Sequence, residues 1–289
     1  MAELRLGILG LSEGNGHPYS WSAIFNGYDP AIMADCGFPG IPAYLARQRF
    51  PQDTIPEARV SHVWTQDAAR SRHIARAAAI ETVVSEPEEM IGAVDAVLLA
   101  RDDAENHRRF ADPFIAAGLP IYIDKPLAHS RRAAEDLLAL EIRTAQIFSC
   151  SALRFAEEML VPEEAFARIG GVSHISARVP KSWEKYAIHV IDPILANLGP
   201  LDGIDDVRVQ RTGTEHGRTE LSFYWDNGSE PSPIAVEYVG PDGTIGTEFS
   251  DSFAAFKTAL CVFLEDSVRG RKSHAERILA AIDIVELGA

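Results

Sequence analysis

Two segments of this 289-residue chain carry side chains able to move a proton. The first is Tyr122-Ile123-Asp124-Lys125-Pro126. Pro120–Asp124 reads as a buried strand, so Lys125 leaves its carboxyl end, the edge at which open α/β sheets bind ligands. The proline that follows pushes Lys125 out of helical geometry and fixes its direction. A surface lysine that merely ends a strand would read the same way. The second segment runs from Trp183 through Glu184, Lys185, Tyr186 and His189 to Asp192. His189 and Asp192 share one face if the segment is helical. Imidazole is the commonest general base near neutral pH, and a carboxylate can orient it. A structural His–Asp hydrogen bond has the same spacing.

A third segment could hold phosphate. Gly7-Ile8-Leu9-Gly10-Leu11-Ser12-Glu13-Gly14-Asn15-Gly16 joins a short apolar strand to a helix start. Glycines let the backbone approach an anion, and the helix dipole favours it. The candidate contacts are Gly10, Ser12, Gly14, Asn15 and Gly16. The strict G-x-G-x-x-G spacing is absent, because Ser12 stands where the second glycine would be. An ordinary glycine-rich turn is the alternative. At the ribose end, the strand Val60–Trp64 runs into Thr65-Gln66-Asp67, and Thr65 cannot replace the usual carboxylate. Arg70 or Arg72 could meet a 2′-phosphate, or both could lie on a solvated helix face. Asp35 is nearer the usual spacing after the glycines, but its surroundings do not form a strand.

The elements that must position these residues alternate. Strands are expected at Leu4–Leu9, Val60–Trp64, Glu81–Val84, Val94–Ala100, Pro120–Asp124 and Ala145–Cys150. Helices are expected near Ser20–Asn26, Asp67–Ala79, Asn106–Ala117 and Ser130–Leu140. Val94–Ala100 is apolar throughout, as in a strand buried on both faces. Strands alternating with helices imply a parallel sheet, here a Rossmann-type dinucleotide-binding domain over residues 1–125 with an insertion near 28–57. Beyond Arg154 the texture changes. Gly171–Val179, Asp206–Thr212, Thr219–Trp225 and Pro233–Val239 read as strands joined by turns such as Asp226-Asn227-Gly228 and Pro241-Asp242-Gly243. Two helices follow, near Ser252–Arg269 and His274–Glu286. The expected fold class is therefore α/β, with a second, α+β domain over 126–289 built on an open, mostly antiparallel sheet.

The net charge of −15 argues against nucleic acid as a partner. No apolar run approaches a membrane span, and the first residues carry no secretory signal, so a cytoplasmic address is expected. Cys36, Cys150 and Cys261 are too scattered to suggest a disulfide framework or a metal site. Leu221, Phe223 and Trp225 alternate with Tyr224, placing apolar residues on both faces of one expected strand. A homodimer or homotetramer through that sheet is the expectation.

Taken together, these segments resemble the glucose–fructose oxidoreductase / inositol dehydrogenase / rhizopine-catabolism family (Gfo/Idh/MocA). Asp95-Ala96-Val97 through Ala116-Ala117-Gly118, then Asp124-Lys125-Pro126, is similar to the family's third strand, helix and Glu-Lys-Pro motif, with Asp for Glu. Leu153-Arg154-Phe155 resembles the Arg-Phe that opens the second domain, and His189-x-x-Asp192 the active-site histidine and its following Asp. Many members have Asp four residues before the histidine; here that position is Lys185. The resemblance implies NAD or NADP as cofactor and hydride transfer to or from a hydroxyl-bearing carbon of a sugar or cyclitol. It implies that Lys125 hydrogen-bonds the reacting hydroxyl and that His189 takes its proton, with Asp192 and Lys185 beside them. Arg154, Trp183 and Tyr186 join Lys125 and His189 as candidate substrate contacts. Thr65, Arg101, Asp124 and Lys125 complete the cofactor set. A regulatory member that only binds dinucleotide or sugar, and a glycosidase using NAD transiently, are the rival readings.

Overall fold

The computed structural model describes residues 3–180, 183–199, 207–208, 220–226 and 233–288. The first layer is a six-stranded sheet. Its strands are β1 (Leu4–Leu9), β2 (Ala58–Trp64), β3 (Thr82–Val83), β4 (Ala96–Leu99), β5 (Ile121–Ile123) and β6 (Ile147–Phe148), in the order β3-β2-β1-β4-β5-β6. Every neighbouring pair is parallel. The order reverses between β1 and β4, so the crevice at their carboxyl ends is the switch point where such sheets take ligands.

Between the strands come α1 (His17–Asn26), α2 (Pro30–Met33), α3 (Gly40–Leu45), α4 (Ala68–Ala77), α5 (Ala104–Ala116) and α6 (Arg131–Leu138). Local chemistry sets their ends. Asp67 caps α4 by accepting the N–H groups of Ala69 and Arg70, and the Ser130 side chain accepts from Ala133 at the start of α6. Gly118, at φ +79, closes α5 in the left-handed conformation that glycine takes freely. Helix α1 begins three residues earlier than the sequence suggests, because Pro18 suits a first turn that needs no N–H donor there.

Strand residues alternate between two apolar layers, as the pleat requires. Leu6, Ile8, Leu98 and Tyr122 face one cluster, while Val97, Leu99, Ile121 and Ile123 face the other. The parallel sheet does not end with the strand before Lys125. Its sixth strand comes from residues 147–148, beyond the expected boundary at 125, since Ile147 and Phe148 complete both layers.

The rest of the chain contributes α7 (Glu163–Arg168), β7 (His174–Pro180), α8 (Trp183–Tyr186), α9 (Ile188–Leu198), β8 (Val207–Arg208), β9 (Glu220–Asp226), β10 (Ala235–Gly240), β11 (Gly243–Glu248), α10 (Ser252–Phe263) and α11 (Ala275–Leu287). The second sheet runs β11-β10-β7-β9-β8. It is antiparallel across β11-β10-β7 and parallel from β7 to β9 and β8. The turn Pro241-Asp242-Gly243 makes β10–β11 a hairpin; β11 is the strand that sequence patterning missed, and it is largely exposed. The expected turn at 226–228 and the side chains of Leu221, Phe223, Tyr224 and Trp225 lie outside the described residues.

Helix α9 is buried from Ile188 through Leu195, His189 and Asp192 included. A helix buried all round belongs between layers. Here it lies against the second sheet, α11 and the 3-10 turn at Ala152–Phe155. No helix among the described residues is long and apolar enough to cross a membrane.

Candidate active site and nucleotide cavity

The strand registers bring three loops to one edge. Leu9 pairs with Leu99, and Leu99 with Ile123, so Gly10, Arg101–Asp102 and Asp124–Lys125 emerge together. Asp102 joins three of the expected site residues. Its Oδ1 accepts from the Ser12 hydroxyl at 2.6 Å and lies 3.3 Å from Lys185 Nζ; its Oδ2 lies 3.8 Å from Lys125 Nζ. Lys125 is only 5% exposed. Asp102 thus stands as a shared carboxylate partner between Lys125 and Lys185.

Lys125 Nζ also sits 5.9 Å from the centre of the Tyr186 ring, and that ring packs edge-on against His189 at 5.2 Å. Tyr186 is thus the side chain that Lys125 and His189 have in common. The imidazole is oriented by a residue the sequence reading missed. Nδ1 of His189 lies 2.8 Å from Ser151 Oγ. The expectation that Asp192 orients the ring is corrected: its Oδ2 accepts the Ser151 backbone N–H at 2.7 Å, and its Oδ1 accepts from Arg277 at 2.8 Å. Arg277, on α11, also donates to the Ser149 carbonyl at 2.7 Å. A second cation, Arg154, stands 3.7 Å from Asp192, its guanidinium pulled down by burial against that attraction. Trp183 faces inward instead of lining a cleft, and its indole N–H donates to Val285 O at 2.8 Å.

Asp124 is enclosed. Its Oδ2 takes Asn15 Nδ2 and faces His17 Nδ1, both at 2.7 Å, while Oδ1 accepts the Lys125 N–H at 2.8 Å. Burial alone would push this carboxyl up, but the charges of His17 and Lys125 and these hydrogen bonds hold it well below the usual carboxylate range. With its oxygens engaged by the chain, Asp124 positions the glycine loop and Lys125; it is not placed as a direct cofactor contact, as the sequence had suggested. Asn15 is likewise engaged, since its Oδ1 accepts the His17 N–H.

The glycines of that loop do different work. A Cβ on Gly10 would run into the Pro18 ring, and one on Gly16 into Phe38 and Ile41. Gly16 is therefore a packing contact with the insertion. The insertion also helps wall a cavity of about 500 Å³ beside His17 and Phe256. Gly14 has φ +77 and open space around it. The first-turn N–H groups of α1 are already used: His17 donates to Asn15, and Tyr19 and Ser20 to the Gly16 carbonyl. An anion at this loop would meet the open backbone around Gly14 before the helix end.

A larger cavity, about 820 Å³, opens at the carboxyl ends of β2, β3 and β4. Trp64, Val84 and Phe110 supply apolar wall, and Thr65, Gln66 and Arg101 supply polar groups. Arg101 lies over the Phe110 ring at 4.6 Å and donates to Asp103, to the Leu11 carbonyl and to Gln66. It ties the glycine loop to this cavity. An apolar slot with polar groups at its rim, at a switch point, fits the adenosine half of a dinucleotide. Asp35 does not line it.

Residues 37–151 match the family model described as an oxidoreductase family with an NAD-binding Rossmann fold, GFO_IDH_MocA. Over these residues, about two fifths of the chain, the sequence is similar to the Gfo/Idh/MocA family. Solved structures share the fold over nearly the whole chain. The myo-inositol dehydrogenase of Lactobacillus casei, in complex with NAD(H) and myo-inositol, is 13% identical, with TM-score 0.63 over 99% of this chain and 93% of its own. The myo-inositol 2-dehydrogenase of Lactobacillus plantarum is also 13% identical, with TM-score 0.65 over 99% and 96%. No curated protein matches the chain in sequence.

Proposed function

We propose that this protein transfers hydride between NAD or NADP and a hydroxyl-bearing carbon of a sugar, cyclitol or sugar derivative. The observation that supports the reading is the Tyr186 ring, which lies 5.9 Å from Lys125 Nζ and 5.2 Å from the His189 ring. A bound nicotinamide supplies the hydride acceptor. Lys125 donates a hydrogen bond to the reacting hydroxyl, and His189, held through Ser151, takes its proton. Asp102 fixes the direction of the Lys125 ammonium, and Arg154 stands within the same group to meet a further substrate oxygen. Glycines and backbone around Gly14 hold the pyrophosphate.

The test is a panel of sugars and cyclitols offered with exogenous NAD and NADP, followed by absorbance of the reduced nucleotide. Net reduction with at least one polyol supports the proposal. Nucleotide binding without reduction favours a regulatory role, and sugar release from glycosides without net reduction favours a glycosidase.

A further inference from the structure

The 820 Å³ cavity holds a charge pattern that decides between the two nicotinamide nucleotides. NAD-reading sites place a carboxylate at the end of the second strand, on the ribose hydroxyls. Here that place is Thr65, and its hydroxyl is spent on the Asp67 carbonyl at 2.7 Å and on Ser71 at 2.9 Å. The next carboxylate, Asp67, caps α4. Gln66 is turned to the glycine loop, where it accepts the Leu11 N–H.

The cations are arranged the other way. Arg72 and Arg109 both line the cavity, and neither has a salt bridge among the described residues. Arg101 is occupied by Asp103. Arg70 is turned away, donating to the Tyr19 hydroxyl and the Cys36 carbonyl. One carboxylate, Glu86, lines the cavity, and it belongs to the β3 side. Two guanidinium groups without a carboxylate partner among the described residues, Arg109 lying 5.4 Å from the Phe110 ring, give this cavity in a chain of net charge −15 a local preference for an anion.

We infer that this cavity reads the 2′-phosphate of NADP(H), with Arg72 as the contact that selects it and Arg109 as a second cation. A guanidinium presents two parallel N–H donors to phosphate, which an uncharged ribose hydroxyl cannot use to the same effect. Arg72 lies on α4, one turn past the capped start, so it reaches back over the end of β2 where the adenosine ribose belongs. The inference rests on the nucleotide-binding reading above.

The experiment is a fluorescence titration of the purified chain with NADPH and with NADH, repeated with 2′,5′-ADP and 5′-AMP as probes that lack the nicotinamide. NADPH is expected to bind at least tenfold tighter than NADH, and 2′,5′-ADP tighter than 5′-AMP. Arg72→Ala, at an exposed position, is expected to keep the melting temperature and to lower NADPH affinity at least tenfold more than NADH affinity, abolishing the preference. Thr65→Asp is expected to reverse it. Equal or tighter binding of NADH by the unmodified chain overturns the inference and leaves the oxidoreductase reading standing. So does an Arg72→Ala variant with undiminished NADPH affinity. Failure to bind either nucleotide removes both.

Discussion

The Ser151 hydroxyl lies 2.8 Å from Nδ1 of His189, and the N–H of the same serine donates to Asp192 at 2.7 Å. One residue in a 3-10 turn thereby sets both the ring and the carboxylate that the sequence had paired directly. Ser151→Ala removes the ring's partner and keeps the backbone contact. A hydrogen bond of this kind is worth about 1 kcal/mol, so turnover is expected to fall roughly fivefold with KM little changed. The pH–rate profile is expected to shift as well, and Ser151→Thr to restore it. An unchanged profile in Ser151→Ala would assign the contact to packing alone.

Lys125 is buried beside Asp102, and that changes what its loss does. Lys125→Ala is expected to lower turnover by about 10²-fold or more. It also leaves Asp102 short of one cation. Because Lys185 and Ser12 still face that carboxylate, the cost is expected to stay below the about 3–5 kcal/mol of an orphaned buried charge. Adding Asp102→Asn is expected to recover melting temperature without recovering turnover. Recovery of both would show that Lys125 is structural.

Asp124 predicts an acid limb in stability. Burial raises its carboxyl, the charges of His17 and Lys125 lower it further, and the net shift is downward. A carboxyl held low in the folded state stabilises it at pH values above the unfolded value, about 3.9. That contribution begins to be lost as pH falls below about 4 and is gone once the folded carboxyl protonates. Urea melts of the parent chain and of Asp124→Asn are expected to differ by a constant gap above pH 5 that closes below pH 4. A gap independent of pH would remove the electrostatic account.

Gly14 tests the loop. Its Cβ position is open, so a side chain there meets nothing, but φ +77 is strained for a β-branched residue. Gly14→Val is expected to weaken nucleotide affinity through a displaced loop, and Gly14→Asn, which tolerates that conformation, to weaken it less. Calorimetry showing equal affinities for the parent and Gly14→Val would place the pyrophosphate elsewhere.

The second sheet predicts an oligomer. Val236 and Tyr238 point into the core, while Ala235 and Val239 stay partly open and Glu237 is exposed on the other face of β10. Light scattering at micromolar concentration is expected to give a dimer or tetramer, and a monomer would leave that face to solvent.

The alternation of apolar strands and helices was legible because β4 and β5 are buried on both sides, where side-chain type is dictated by the layer it faces. Lys125, His189 and the glycine loop were legible by type and position. Ser151, Asp102 and Arg277 were not. Each acts across 23 positions or more, and spacing along a chain carries no signal for such pairs. Asp124 and Trp183 are alike in one respect: both side chains found partners inside the protein that no local pattern announces. The parallel half of the second sheet escaped notice because period-two patterning is the same in either strand direction.

Helix α11 has two attachments. Ile278 and Ile282 join Phe114, Ile123 and Leu137 in the apolar layer on one face of the first sheet, and Arg277 holds Asp192 and the Ser149 carbonyl. Ribosomes make the amino half first, so the sheet emerges with that face still bare. A transcript cut short before residue 275 would not yield a tidy nucleotide-binding fragment lacking a catalytic partner. It would yield a sheet with an uncovered greasy side, a client for chaperones and a seed for aggregation.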